Sequence, residues 1–231
     1  MTDDRGPGPA GDGFGRLAFR ARPSRGKPGG RDVPLGLGGD RDGALYVPED
    51  AGSGAPIIIF LHGAGGSGRR VLRPILSAAD RYGVVVAAPD SRLPTWDIIA
   101  MQAFGPDVAF IDRVLNAVAD TCDVDFDRMA IGGISDGASY ALSMGLTNGD
   151  LFPAIVAFSP GFFVTAEVRE KPRVFISHGT HDQVLPIDLC GRRLAAQLGV
   201  DGYPVAFHEF DGGHAVPPEV ADLGFQWWVD R

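Results

Sequence analysis

The sequence predicts an α/β fold in which a mostly parallel sheet is covered by helices on both faces. Runs that are apolar throughout, such as IIIFLH (57–62) and GVVVAAPD (83–90), are typical of strands buried on both sides. The segments between such runs repeat apolar residues at helical spacing, which indicates amphipathic helices. The length of 231 residues, with 45% hydrophobic and 22% charged residues, suits one domain with a sizeable core.

The first 31 residues differ from the rest of the chain. Residues 1–31 are rich in Gly, Pro and Arg and carry little to bury, so they are predicted to form a flexible N-terminal arm before a catalytic domain at 32–231. A short strand at GRLAFRAR (15–22) is one option within this arm. A basic binding tail is the other option, and it is less favoured because aspartates interrupt the positive charge.

From residue 32 onward, predicted strands and helices alternate. Besides the two runs quoted above, strands are predicted at ALYVP (44–48), RMAIGG (128–133), FPAIVAFSP (152–160), RVFISHG (173–179) and 203–210. Helices are predicted at 68–82, 107–121, 136–147, 187–198 and at the C-terminus. In such a sheet, chemistry gathers at the loops beyond the carboxyl ends of the strands.

One serine lies between two glycines at a strand-to-helix junction, in IGGISDGASYAL (131–142). A strand that turns sharply into a helix needs residues without side chains beside the turn, and Gly133 and Gly137 provide that room. The serine at the tip of the turn then exposes its hydroxyl, which is the nucleophile-elbow pattern G-x-S-x-G. Ser135 is therefore the candidate nucleophile, although the pattern alone also fits an ordinary turn.

A second glycine-rich stretch, GAGGSG (63–68), follows the strand IIIFLH. A surface loop and a phosphate-binding loop are the alternatives, and the phosphate pattern is incomplete because no GK[ST] ending follows. Backbone N–H groups of such a loop can stabilise an oxyanion. If Ser135 is the nucleophile, the predicted donors are the N–H groups of Ala64 and of Asp136, the residue directly after it.

A serine nucleophile needs a histidine base, and the base needs a carboxylate that orients it. Asp182 lies in HGTHDQVLP (178–186) and His214 in DGGHAVPPEV (211–220), each just after a predicted strand. The chain order Ser, Asp, His is one of the known orders of such triads. Alternatively, Asp182 is only a helix cap.

Two further histidines, His178 and His181, lie beside this aspartate. Two histidines with one carboxylate are weak evidence for a metal site, so both are predicted to be structural. We expect neither a metal nor a cofactor.

Five stretches resemble the α/β-hydrolase superfamily and, within it, the phospholipase/carboxylesterase group that includes acyl-protein thioesterases. They are FLHGAGGSG, APDSRLPTWDI, GGISDGASYAL, FISHGTHDQVLP and DGGHAVPPEV. The resemblance implies Ser135 as nucleophile, His214 as base and Asp182 as its orienting carboxylate. It also implies Ala64 and Asp136 as the amide donors.

The resemblance is incomplete at two places. Trp96 and Asp97 resemble a WFD-type segment that lines the acyl site in that group, but the phenylalanine is missing. Asp136 stands where the group commonly has glutamine. A second resemblance, to polyhydroxybutyrate depolymerases and feruloyl esterases, leaves the substrate open between these groups and a lysophospholipase or thioesterase activity.

The predicted site is open or shallow, without a large cap domain. The 46 residues between Ser135 and Asp182 are nearly used up by one helix, two strands and one connection. Five residues are predicted either to line the substrate site or to pack in the core: Trp96, Phe162, Phe163, Val184 and Leu185.

Charge and composition bound the remaining properties. The net charge of −8 disfavours nucleic acid and anionic lipid as partners. No apolar run is long enough for a membrane span, so a cytoplasmic location is expected. Cys122 and Cys190 are predicted to be buried rather than bridged.

The function predicted is a serine carboxylesterase acting on small or medium acyl esters; the alternative class is a non-catalytic binding protein of the same fold. Trp227 and Trp228 in the last helix are predicted to lie either in the core or on a homodimer face, with one of them expected in the core.

Overall fold

The computed structural model describes residues 14–23, 32–165 and 167–230, and its centre is a twisted sheet. Within these residues the sheet has eight strands in the order β1-β2-β4-β3-β5-β6-β7-β8. The strands are β1 Val33–Pro34, β2 Gly43–Tyr46, β3 Ala55–Leu61, β4 Val85–Pro89, β5 Val124–Ile134, β6 Ala154–Phe158, β7 Arg173–Gly179 and β8 Val205–Phe210. Strand β2 is antiparallel to both of its neighbours, and strands β3 to β8 run parallel to one another. The prediction of a mostly parallel sheet is confirmed.

Helices cover both faces of the sheet, as predicted. They are α1 Gly68–Leu72, α2 Leu76–Tyr82, α3 Asp97–Ala100, α4 Pro106–Thr121, α5 Asp136–Thr147, α6 Gly191–Val200 and α7 Pro218–Val229. One core lies between the sheet and α4, α5 and α6, and a second lies between the sheet and α1, α2 and α7. Strand β3 contributes Ile57 and Ile59 to the first core and Ile58 to the second, which explains its unbroken apolar run.

Three element predictions need correction. The helix predicted at 68–82 is two helices, because Pro74 lacks the N–H that a continuous helix requires. Helix α6 begins at Gly191 rather than at residue 187. The two-residue strand β1 and the one-turn helix α3 were not predicted, because both are too short to show periodicity.

Part of the predicted arm packs on the domain. Residues 14–23 form no strand, so the option of a strand at 15–22 is wrong. Leu17 and Phe19 are buried, the Leu17 N–H donates to Asn148 Oδ1 at 2.9 Å, and the Phe19 ring lies 5.1 Å from that of Phe126. The expectation of a weakly ordered arm is therefore wrong for this segment. The remainder of 1–31 lies outside the described residues, and the domain boundary stays a prediction.

The two cysteines and the C-terminal tryptophans follow the sequence analysis. Cys122 and Cys190 are buried, free thiols. Trp228 lies in the second core and Trp227 is partly buried against it. No helix in the described parts of the chain is long and apolar enough to cross a membrane.

Candidate active site

Ser135 stands between the end of β5 and the start of α5 in a strained backbone conformation. Its φ of 58° and ψ of −122° lie in a region that non-glycine residues rarely adopt. The Ser135 N–H donates to Phe158 O at 3.0 Å, and Ser135 O accepts the Ser139 N–H at 3.0 Å. These bonds to β6 and to the first turn of α5 hold the serine at the tip of the turn.

The two flanking glycines are required by close backbone contact. A Cβ atom on Gly137 would lie 2.2 Å from Leu61 O, and one on Gly133 would lie 2.6 Å from the same oxygen. Neither distance is possible for a real side chain, so the strand-to-helix turn can pack against the end of β3 only with glycine at both places. The steric argument made from the sequence is confirmed.

The histidine and the aspartate meet at the carboxyl ends of β7 and β8. His214 Nδ1–H donates to Asp182 Oδ2 at 2.6 Å. Because Nδ1 carries the proton, Nε2 is left with a free lone pair, as a general base requires. The two loops can approach because β7 ends in Gly179, where a Cβ would lie 2.4 Å from Gly212 O.

Asp182 is held in its ionised form by its hydrogen bonds. The other carboxylate oxygen, Oδ1, accepts the N–H groups of Val184 at 2.9 Å and Leu185 at 2.8 Å. Burial alone raises the pKa of Asp182, but the hydrogen bonds from Leu185 and His214 outweigh burial and keep that pKa below its ordinary value. A negative charge is thus available to stabilise a protonated His214.

A second histidine contacts the same carboxylate. His178 is fully buried, and its Nε2 lies 2.7 Å from Leu185 O and 3.3 Å from Asp182 Oδ2. Since Leu185 O can only accept, Nε2 carries the proton and donates toward both oxygens. Burial lowers the pKa of His178, which favours the neutral ring. Only a structural role was predicted for His178, because its spacing from Asp182 in the sequence does not indicate that its side chain reaches the carboxylate.

His181 lies apart from this group. Its side chain is exposed, and its Nδ1 is 3.0 Å from Asp211 Oδ1. His178 and His181 therefore contact different aspartates and do not share a site.

The serine hydroxyl makes no hydrogen bond to His214 within the described residues. Catalytic hydrogen bonds of this kind are often long in unliganded enzymes and tighten when substrate is present. Ser135 is half-buried and the His214 side chain is 17% exposed, so both residues are accessible to solvent.

The glycine-rich loop lies against the serine. A Cβ on Gly63 would be 3.3 Å from the Ser135 Cβ. Neither the Ala64 N–H nor the Asp136 N–H donates to a protein acceptor in the described parts of the chain. Both N–H groups are therefore available to an oxygen of a ligand bound at Ser135.

His62 joins this glycine-rich loop to the chain after β4 by hydrogen bonds. It is buried, its Nε2 accepts the Ser91 N–H at 3.0 Å, and its Nδ1–H donates to Gly63 O at 2.7 Å. Burial lowers the pKa of His62, so the neutral ring with the proton on Nδ1 fits both bonds. The carbonyl of Gly63 is thereby fixed next to Ala64.

The predicted wall residues divide into two groups. Trp96 is fully buried: its Nε1–H donates to His62 O at 2.8 Å, and its ring stacks on Tyr140 at 5.0 Å. Of the two alternatives predicted for Trp96, the structure supports core packing, which leaves the side chain no exposed surface. Phe163 is partly buried against the first core and lines a cavity together with Leu146, near the C-terminal end of α5.

Leu185 contacts Gly161, which is hydrogen-bonded to the first turn of α5. A Cβ on Gly161 would lie 3.3 Å from Leu185 Cδ2, and the Gly161 N–H donates to Ser139 Oγ at 2.9 Å. Val184 is 66% exposed beside it. Phe162 is half-buried and packs on the first core. Two aliphatic residues, Val184 and Leu185, therefore lie on the loop of Asp182, and both donate their N–H groups to its carboxylate.

Comparisons with known proteins agree with this arrangement. No family model matches the chain. A probable feruloyl esterase C of Aspergillus niger is 27% identical over 222 residues, covering 80% of this chain and 79% of that protein. Acyl-protein thioesterase 1 of Saccharomyces cerevisiae is 29% identical over 206 residues, covering 72% and 88%. The crystal structure of esterase PE8 covers 82% of this chain and 98% of its own, with 22% identity and a TM-score of 0.67.

The fold and enzyme class predicted from the sequence are confirmed by these relatives. The chain shares its fold with esterase PE8, and the described residues between Ser135 and Asp182 contain no cap domain. The resemblance to the phospholipase/carboxylesterase group is likewise confirmed.

Proposed function

We propose that this chain, an α/β-hydrolase whose relatives are esterases, hydrolyses small to medium acyl esters through an acyl-enzyme intermediate on Ser135. The observation that carries the proposal is the 2.6 Å bond between His214 Nδ1 and Asp182, which leaves the Nε2 lone pair free to act as a base. Ser135, Asp182 and His214 follow β5, β7 and β8, so all three lie after the carboxyl ends of parallel strands, at one edge of the sheet.

The proposed reaction begins with proton transfer from Ser135 Oγ to His214 Nε2. The serine oxygen attacks the ester carbonyl carbon, and the N–H groups of Ala64 and Asp136 donate to the developing oxyanion. His214 then gives its proton to the leaving alcohol oxygen, and the acyl group stays on Ser135. Water, activated by the same histidine, releases the acid and restores the serine.

Asp182 supports both half-reactions through charge and orientation. Its ionised carboxylate stabilises the imidazolium that forms on His214 and holds the ring in one tautomer. Its low pKa keeps this charge available at neutral pH.

The two aliphatic residues on the loop of Asp182 favour uncharged acyl groups of modest size. Val184 and Leu185 offer aliphatic surface next to the triad, and no cap encloses it among the described residues. The relatives include a feruloyl esterase and an acyl-protein thioesterase, so aryl acid esters and thioesters are the second candidates. Polyhydroxybutyrate and lysophospholipids are further options that use the same chemistry.

The experiment is burst kinetics on p-nitrophenyl esters of increasing chain length, with a feruloyl ester and an acyl thioester beside them. We expect a burst of product followed by a slower steady state, with the optimum at short to medium chains. Ser135→Ala should fold with an unchanged Tm and lose both phases, with kcat lower by roughly 10⁴-fold or more. Turnover by Ser135→Ala at the wild-type rate would contradict the proposal.

The proposal also includes a cytoplasmic location and a homodimer. The two free, buried cysteines are consistent with a cytoplasmic protein, which cell fractionation tests. A homodimer would be tested by light scattering of the purified chain.

A further inference from the structure

The loop between β4 and α3 connects the two chain segments that carry the proposed oxyanion donors. This inference rests on the proposed function and deepens it. The donor Ala64 lies in the loop after β3, and the donor Asp136 lies at the start of α5. Two donors from separate segments act together only if something fixes the distance between them.

One side of this connection holds the segment around Ala64. The carbonyl of Pro94 accepts the Gly65 N–H at 2.8 Å, and the Trp96 indole N–H donates to His62 O at 2.8 Å. The residues before and after the Gly63–Ala64 pair are thus both tied to the same short stretch of chain.

The other side of the connection reaches the elbow. Thr95 lies between Pro94 and Trp96, and its hydroxyl donates to Asp136 Oδ2 at 2.5 Å. Hydrogen bonds to a carboxylate are shorter and about twice as strong as neutral ones. Three consecutive residues, 94 to 96, therefore join the loop after β3 to the first residue of α5.

We propose that Thr95 and the side chain of Asp136 form a positioning pair that sets the spacing of the Ala64 and Asp136 N–H groups. Thr95 touches no reacting atom in this account and acts through Asp136. The pair also gives the acidic residue after the nucleophile a role of its own. A carboxylate turned toward the developing oxyanion would oppose the reaction, and the bond to Thr95 holds it toward the β4–α3 loop.

The expected effect of breaking the pair is smaller than that of losing a donor. Removing one oxyanion donor costs about 10²–10³ in kcat, whereas a loosened donor retains part of its bond. Thr95→Val keeps the shape of the side chain and removes the hydroxyl. We expect kcat to fall about 10-fold, with KM changed less than about 2-fold, because the loss falls on the transition state.

The test measures kcat and KM for p-nitrophenyl butyrate together with the affinity for an alkyl trifluoromethyl ketone. The ketone adds to the serine and places an oxyanion between the two donors. Its affinity should fall in parallel with kcat in Thr95→Val, while Tm stays near that of the wild type. Thr95→Ser, which keeps a hydroxyl, should restore most of both. Thr121→Val removes an exposed threonine hydroxyl bonded to Ala117 O and should change neither value.

A double-mutant cycle with Asp136→Ala makes the pair itself measurable. If the two side chains act together, Thr95→Val has no further effect on kcat in the Asp136→Ala background. Asp136→Asn, which keeps an acceptor oxygen, should lose less than Asp136→Ala.

The outcomes separate this proposal from the proposed function. Wild-type turnover that depends on Ser135, combined with an unchanged kcat and ketone affinity in Thr95→Val, overturns the positioning pair alone. A loss in Thr95→Val that the serine variant does not restore, or that appears only in KM, also overturns it. If Thr95→Val does not fold, the kcat values of Asp136→Asn and Asp136→Ala are compared instead. Equal losses of kcat in these two variants would contradict the positioning pair. Turnover that does not need Ser135 overturns the proposed function itself.

Discussion

The two halves of the proposed triad are held in place by different kinds of force. Ser135 is positioned by backbone shape, since glycines on either side let the turn pack against β3 and the serine itself sits at a positive φ. Asp182 and His214 are positioned by hydrogen bonds, to each other and to the N–H groups of the loop that follows the aspartate. The nucleophile half is sterically fixed, and the base half is electrostatically fixed.

This difference predicts that the two halves fail in different ways. Substitutions in the base half should change protonation and orientation while leaving the packing intact, because the side chains involved can be replaced by others of similar size. Substitutions beside the nucleophile should disturb packing, because backbone oxygens occupy the space that any new side chain would need. In the base half, activity should therefore fall much further than stability, whereas in the nucleophile half the two should fall together.

The largest effect is expected from Asp182→Asn. The substitution keeps the size of the side chain but removes the charge and favours the wrong tautomer of His214, so kcat should fall roughly 10⁴-fold. Asp188→Asn, on the exposed side of the same loop, is the matched control and should keep wild-type activity. Steady-state kinetics with p-nitrophenyl butyrate measure kcat for both variants. Because the expected loss is roughly 10⁴-fold, a kcat of Asp182→Asn within about 10-fold of wild type would contradict the role of Asp182.

Gly137→Ala tests the steric half. A new Cβ would sit 2.2 Å from Leu61 O, so the turn must shift and carry Ser135 with it. We expect a loss of about 10²-fold in kcat/KM and of about 1–3 kcal/mol in the free energy of unfolding. Gly199→Ala is the control: it has open space around its Cβ position in helix α6, and should gain at most about 1 kcal/mol. A normal Tm and normal activity in Gly137→Ala would show that the turn is not held sterically.

His178→Leu should produce a smaller loss of activity, together with a loss of stability. Without the Nε2–H, the buried Leu185 O and Asp182 Oδ2 lose a donor, which is worth about 1–3 kcal/mol. We expect kcat to fall about 10-fold. His178→Gln, whose amide nitrogen can take the place of Nε2, should recover most of it. His181→Leu removes only an exposed ion pair and should be silent. Equal kinetics for the leucine and glutamine variants of His178 would contradict the donor role.

The smallest effect concerns stability in acid. Because the folded pKa of Asp182 lies below its ordinary value, the carboxylate stabilises the fold at neutral pH, and this contribution is lost as pH falls through the folded pKa. The difference in Tm between wild type and Asp182→Asn should therefore be present at pH 7 and shrink below about pH 4. Thermal unfolding followed from pH 3 to 7, a range bracketing the ordinary pKa of aspartate, measures it. A difference that is independent of pH would show that the charge of Asp182 is not involved.

The steric half of the site was the part that the sequence could predict in detail. Glycines that must lack a side chain leave a readable pattern around Ser135, and the order of Asp182 and His214 follows from alternating strands and helices. Mostly parallel pairing and coverage on both faces were also predictable, because burial on two sides demands continuous apolar runs.

Contacts made between distant loops were not predictable. The sequence leaves Trp96 open between the substrate site and the core, and in the structure its ring is buried between His62 and Tyr140, two residues from other elements. His178 reads as structural because nothing in its spacing shows that the loop after Asp182 folds back onto its ring. Leu17 and Phe19 were missed because two buried side chains in a Gly- and Pro-rich stretch are a weak periodic signal.

The central claim is that Ser135 becomes acylated, and quenching the reaction in its burst phase tests it most directly. Wild-type protein is mixed with p-nitrophenyl butyrate, stopped in acid within the burst, digested and mapped by mass spectrometry. The account predicts one butyryl group, attached to the peptide that contains Ser135, and none in Ser135→Ala. A butyryl group on another residue, or a full burst with no adduct on that peptide, would contradict it.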